Sequence, residues 1–119
     1  VVDLTYWRDL QRLADFAARH FKLGKVVVRP ITDPRTQFMG ICGPDGVIEL
    51  RVHQLHHPNR PLKWSTLVHY LAHELAHLYK RKPGRSSGWV LHHGARHTAT
   101  MVKIKLFWST HRAAKTLAP

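Results

Sequence analysis

Apolar residues recur at spacings of three and four through the first twenty positions. Leu4, Trp7, Leu10, Ala14, Ala17 and Phe21 fall on one stripe, which predicts an amphipathic helix with Asp3 placed to cap it and Gly24 to stop it. The period then changes. Lys25 to Arg29 is rich in β-branched residues and reads as a strand ending before Pro30, Thr32-Asp33-Pro34-Arg35 reads as a turn, and a second strand is expected near Gln37 to Ile41. Gly43-Pro44-Asp45-Gly46 makes the next reversal, so Val47 to Val52 should return antiparallel as a third strand, with His53 to Pro61 as a loop. Beyond Pro61 the helical period resumes and runs from Leu62 to about Lys80. Leu67, Val68, Leu71, Leu75 and Leu78 face a core, while His69, His73 and His77 recur every four residues along another stripe. Pro83 to Gly88 reads as a loop able to lie along a cleft. The last segment is ambiguous locally: Val102 to Leu106 alternates like a strand, but His93, His97, Met101, Ile104 and Trp108 are spaced like a helix face. A helix is the better reading, because one of its ends can then reach the histidine stripe and the other the core. The pattern thus predicts an α+β fold: an N-terminal helix, a small three-stranded antiparallel sheet, a histidine-bearing helix and a C-terminal helix.

Length and composition narrow what such a fold can do. The 119 residues suit one domain, residues 1–119, with one core and no separate substrate module. No apolar run approaches the roughly 20 residues that span a bilayer, and Asp3 and Arg8 interrupt any signal-like start. The expectation is an intracellular monomer, cytoplasmic or DNA-associated in the nucleoid or nucleus, neither secreted nor membrane-bound. Cys42 is the single cysteine, which excludes an internal disulfide and a cysteine-rich metal site and leaves histidine as the abundant metal-binding side chain.

His73-Glu74-Leu75-Ala76-His77 is an HExxH sequence inside the second helix. Four residues advance a helix by about 400° and roughly 6 Å, so both imidazoles can face one Zn²⁺ ion, with Glu74 beside the water that such an ion holds. Glu49 and Glu74 are the only glutamates, and a chance HExxH in a chain with 11 histidines is expected roughly 0.02 times. A catalytic zinc takes a third protein ligand, for which His92, His93 and His97 are candidates. His69, a further turn away, suits packing or a supporting hydrogen bond better than ligation. Charge adds a partner class: 19 Lys and Arg against 7 Asp and Glu give a net +12, a field that draws polyanions, nucleic acid first among them. The basic residues cluster at Lys80, Arg81, Lys82 and Arg85, directly after the motif helix, and again at Lys103, Lys105, Arg112 and Lys115.

Three segments together resemble the SprT-like zinc metallopeptidases, a family that includes proteases of DNA-crosslinked proteins. Gly40-Ile41-Cys42 followed by Gly46-Val47-Ile48-Glu49-Leu50 looks like that family's GxC and following hydrophobic strand, His73 to His77 matches its HExxH, and His93-Gly94-Ala95-Arg96-His97 looks like its HGxxF. The likeness covers roughly residues 38 to 108. It implies a minimal zincin-like fold, with zinc held by His73, His77 and His93 and water activated by Glu74. His97 stands where the family has an aromatic residue, so it either packs in that role or replaces His93 as ligand one turn further along the same face. His92 is placed to hydrogen-bond a developing oxyanion. No tryptophan directly precedes Gly40, and there is no four-cysteine zinc ribbon.

The expected activity is zinc-dependent cleavage of proteins bound or crosslinked to DNA, with Lys80, Arg81, Lys82 and Arg85 holding the DNA. Two other functions use the same residues: a basic DNA-binding domain stapled by a structural histidine-zinc site, and a regulatory protease for one specific protein. A carboxylate beside an open coordination position separates the hydrolases from the staple.

Overall fold

The computed structural model describes residues 7–31, 33, 35–43, 45–79 and 94–117. Its first helix, α1 (Trp7–Phe21), buries Leu10, Ala14 and Ala17 of the stripe that the spacing predicts, with Leu13 and Ala18 buried beside them and Trp7 and Phe21 partly buried. Asp3, the expected cap, lies outside the described residues. The helix ends at Phe21, three residues before the expected glycine: Lys22 takes the left-handed conformation at φ 57°, and the Leu23 N–H reaches back to the Ala18 carbonyl at 2.9 Å, a Schellman closure made without glycine.

Three strands follow, β1 (Val27–Ile31), β2 (Gly40–Cys42) and β3 (Val47–Arg51), in the spatial order β1-β3-β2. The β2–β3 hairpin is antiparallel as expected, pairing Gly40 with Leu50 and Cys42 with Ile48. The all-antiparallel sheet is corrected by β1, which lies parallel to β3 with Val27 opposite Val47 and Ile31 opposite Arg51. Alternation fixes which face each side chain takes but says nothing about which neighbour a strand chooses, so the chain can pass from β1 across to the far side of β3 without breaking the pattern. Gly46 makes that junction. Its φ is +84°, a Cβ there would collide with the Lys25 carbonyl, and its own carbonyl accepts the Val27 N–H at 3.1 Å. Strand β1 also runs through Pro30, a residue tolerated because β1 lies at the sheet edge.

The two edges of the sheet are treated differently. Along β1, the Gln11 side chain acts as a substitute strand: its Nε2 donates to the Val26 carbonyl at 2.9 Å and its Oε1 accepts the Val28 N–H at 2.8 Å. Trp7 Nε1 donates to the Val28 carbonyl at 2.8 Å. Helix α1 therefore seals that edge, and among the described residues no strand pairs with β2 on its outer side.

The expected loop at 53–61 is instead a short antiparallel ribbon, β4 (His53–Gln54) with β5 (His57–Pro61), turning through His56 at φ 62°. Helix α2 (Trp64–Ala76) then buries Leu67, Val68, Leu71, Ala72, Leu75 and Ala76 against the sheet and against α3 (Ala95–Thr110). It ends near Ala76, short of the expected Lys80. In α3 the helical reading of the C-terminal segment prevails, with Thr100, Ile104 and Trp108 buried and Trp108 Nε1 donating to the Leu13 carbonyl at 2.9 Å. Trp64 Nε1 donates to the Leu117 carbonyl at 2.6 Å and draws the end of the chain onto the start of α2. No helix among the described residues is long and apolar enough to cross a membrane.

Candidate metal centre

Helix α2 sets the site through its buried stripe. With Leu71, Leu75 and Ala72 locked in the core, the neighbouring face carrying His73 and His77 is turned toward α3, and His97 in the first turns of α3 meets it. One ring nitrogen from each of the three histidines lies within 4.8 Å of the others. The ring centroids are separated by 5.4 Å for His73 and His77, 4.7 Å for His73 and His97, and 4.4 Å for His77 and His97. A tetrahedral zinc with bonds near 2.0–2.1 Å holds its nitrogens about 3.3 Å apart, a gap that small ring rotations close. Each of the three side chains is half-buried, so solvent and substrate can still reach the group they form.

The end of α2 helps to orient His97. Here the backbone tightens: the His77 N–H bonds to the Glu74 carbonyl at 3.1 Å and the Leu78 N–H to the Leu75 carbonyl at 3.0 Å, each one residue short of the α-helical partner. The His73 carbonyl accepts from His97 Nε2 at 2.9 Å. Because a carbonyl can only accept, Nε2 carries the proton in this contact, and the lone pair of a neutral His97 is then on Nδ1. A carbonyl behind a ligating histidine fixes the ring and raises its basicity, a common support in metal sites.

Glu74 lies on the adjoining face and is only 6% exposed. Burial raises its pKa from 4.5 to about 7, and its Oε2 has no hydrogen-bond partner among the described residues. A buried carboxylate oxygen without a partner is costly in a purely structural role, whereas next to a cation and a reacting water it has both a counter-charge and a proton to take. This donor set fits zinc: three neutral imidazoles, one unsatisfied carboxylate oxygen beside them, and no cysteine that would close the site.

Gly40 lets the carboxylate sit where it does. A Cβ at this position would stand 3.1 Å from Glu74 Cγ and 3.0 Å from Leu50 Cδ2. The glycine of the GxC segment is therefore the close contact between β2 and the proposed base. The sequence marked this glycine only as part of a motif; its chemical role depends on a contact 34 positions away in the chain, which no local spacing reveals. Beside it, Met39, Gly40, His69, Tyr70, His73 and Glu74 line a cavity of about 300 Å³. His69 stands in its wall with Nδ1 2.9 Å from Lys105 Nζ.

Of the residues proposed from sequence, the structure brings together His73, His77, Glu74 and the alternative ligand His97. His92 and His93, and the basic residues Lys80, Arg81, Lys82 and Arg85, lie outside the described residues. No family model, no curated protein and no solved structure matches this chain. Fold and site nonetheless define a class: an α+β protein whose HExxH helix and third histidine form a zincin-like, zinc-dependent metalloprotease active site.

Proposed function

We propose that this protein is a zinc-dependent endopeptidase of the SprT-like kind, acting on proteins bound or crosslinked to DNA. The observation that carries the hydrolase reading is the convergence of His73, His77 and His97 beside a buried Glu74 that has an unpartnered oxygen and a cavity in front of it. A bound zinc ion supplies Lewis acidity there, polarising the scissile carbonyl and making a water acidic enough to be deprotonated near neutral pH. Glu74 would take the proton of the attacking water on a carboxylate oxygen and return it to the amide nitrogen as the C–N bond breaks, leaving one new carboxyl and one new amine. His73, His77 and His97 would hold the ion through the lone pairs of their imidazole nitrogens.

The sheet edge suits an extended substrate. In the β2–β3 ladder the Arg51 N–H bonds to the Met39 carbonyl and the Gly43 N–H to the Val47 carbonyl, both at 2.9 Å. By antiparallel alternation, the N–H and C=O of Gly40 then point away from β3, along the edge nearest Glu74. A peptide strand pairing there would pass its carbonyl across the histidines.

The DNA-linked substrate is supported by charge. The chain carries a net +12, and Arg96, Lys103, Lys105, Arg112 and Lys115 are exposed on α3 and the turn after it. With Lys80, Arg81, Lys82 and Arg85 added, a duplex held by phosphate contacts would keep an attached protein close to the site and select it by location. The test is cleavage of one protein presented free and crosslinked to duplex DNA. The crosslinked form should be cut at least tenfold faster at low salt, and the advantage should vanish in high salt. Equal rates at every salt concentration would leave a protease with another basis of selection.

A further inference from the structure

Five large hydrophobic residues are exposed among the described ones, and three of them, Phe38 at 63%, Met39 at 50% and Ile41 at 39%, stand together on and just before β2. Exposed apolar side chains are ordinarily scattered, so a strip along the β2 edge of the three-stranded sheet, which no described strand pairs, calls for an occupant. The cavity of about 300 Å³ opens beside this strip and shares two walls, His73 and Glu74, with the metal centre. Its remaining walls are the Met39 and Tyr70 side chains, His69 and the bare Gly40 backbone. The volume suits one bulky side chain and lies at the lower limit of ligand-sized clefts.

We infer that this cavity is a specificity pocket, which selects a bulky apolar residue next to the scissile bond, with Met39 and Tyr70 as the residues that set the choice. The inference rests on the protease reading and adds a second level of selection to it, by side chain as well as by location. A substrate strand paired with the β2 edge would place one side chain toward the cavity, where Met39 and the Tyr70 ring bury it. The Lys105 ammonium behind His69 sets a positive charge near that wall, unfavourable to a lysine or arginine in the same place. Phe38 and Ile41 on the strip extend the apolar contact to neighbouring positions.

The test uses a peptide series identical except for one residue flanking the cleaved bond, which is Phe, Leu, Gly, Asp or Lys. Zinc-loaded wild-type protein reports cleavage, and zinc-loaded Glu74→Gln reports binding of the same peptides by fluorescence anisotropy. Phe and Leu should exceed Gly and Lys by about tenfold or more in both kcat/KM and affinity. Met39→Ser and Tyr70→Ala should each reduce that ratio several-fold while zinc content stays at the wild-type level. Met39 is half-exposed, and its backbone bond to Arg51 does not involve the side chain, so Met39→Ser keeps the test open if Tyr70→Ala fails to fold. Cleavage with no preference among the five peptides would overturn the pocket and leave the protease reading standing. Zinc-loaded protein that cleaves none of them would count against the protease reading and take the pocket with it.

Discussion

At the scale of single residues, the central contrast is between His97 and His93. The resemblance in sequence favours His93, whereas the geometry joins His97 to His73 and His77 and braces it with the His73 carbonyl. We therefore expect His97→Ala to lose zinc as fully as His73→Ala, and His93→Ala to keep most of it, as read by metal analysis of the three purified variants. Zinc loss confined to His93→Ala would restore the assignment that the sequence likeness implies. Glu74 offers a second prediction, for the metal-free protein. Burial raises its pKa from 4.5 to about 7 in the folded state, so the fold favours the protonated form. Stability is thus complete below the unfolded value and is lost as pH rises through about 7, above which ionisation costs on the order of 3 kcal/mol. With chelator present, Glu74→Gln should be more stable than wild type at pH 8 by about that amount, and the difference should disappear near pH 4. Urea titrations at the two pH values measure it, and a difference independent of pH would show that the carboxylate is not held in a desolvating environment.

Among the secondary-structure elements, close contact between β2 and α2 matters most for the chemistry. Gly40→Ala inserts a methyl group 3.1 Å from Glu74 Cγ and 3.0 Å from a buried leucine side chain, so the carboxylate has to shift by a few tenths of an ångström. The variant should keep its zinc and lose about tenfold in kcat with KM nearly unchanged, because misplacing the base affects the proton transfer more than the binding. Unaltered kcat would remove Gly40 from the positioning of Glu74. The helices were largely legible in sequence because a 3.6-residue stripe such as Leu67, Leu71 and Leu75 is a periodic signal that tertiary packing reinforces. Sheet topology was not. The alternation in Val47 to Arg51 is the same whichever direction the partner runs, and β1 owes its parallel course to Gly46 and to the Gln11 amide that seals its other edge, both of which are long-range contacts. The end of α2 was also hidden, since Leu78 continues the apolar stripe past the point where the backbone tightens. Of the site, the two HExxH histidines and Glu74 could be read from spacing alone, but the third histidine could not, because His93 and His97 stand four residues apart, about one helical turn, and spacing offers both to the same metal.

For the whole molecule, net charge is the property with a direct functional consequence. If DNA is the partner, binding should show little sequence preference and should weaken steeply with salt, with a slope near 0.9 per phosphate contacted on duplex. Joint neutral replacement of Lys80, Arg81, Lys82 and Arg85 should flatten the slope, and anisotropy titrations at several salt concentrations would register it; an unchanged slope moves the DNA surface to another set, such as the exposed lysines of α3. All of these expectations depend on the protein being a hydrolase at all. The most direct measurement is peptide-bond cleavage by zinc-loaded wild type and zinc-loaded Glu74→Gln side by side, with products identified by mass and zinc quantified in both. We predict equal zinc content and a loss of cleavage of about 10²–10⁴-fold in the variant, the range expected when a general base is removed. Cleavage retained at the wild-type rate by Glu74→Gln, or no cleavage by wild type carrying a full complement of zinc, would contradict the account.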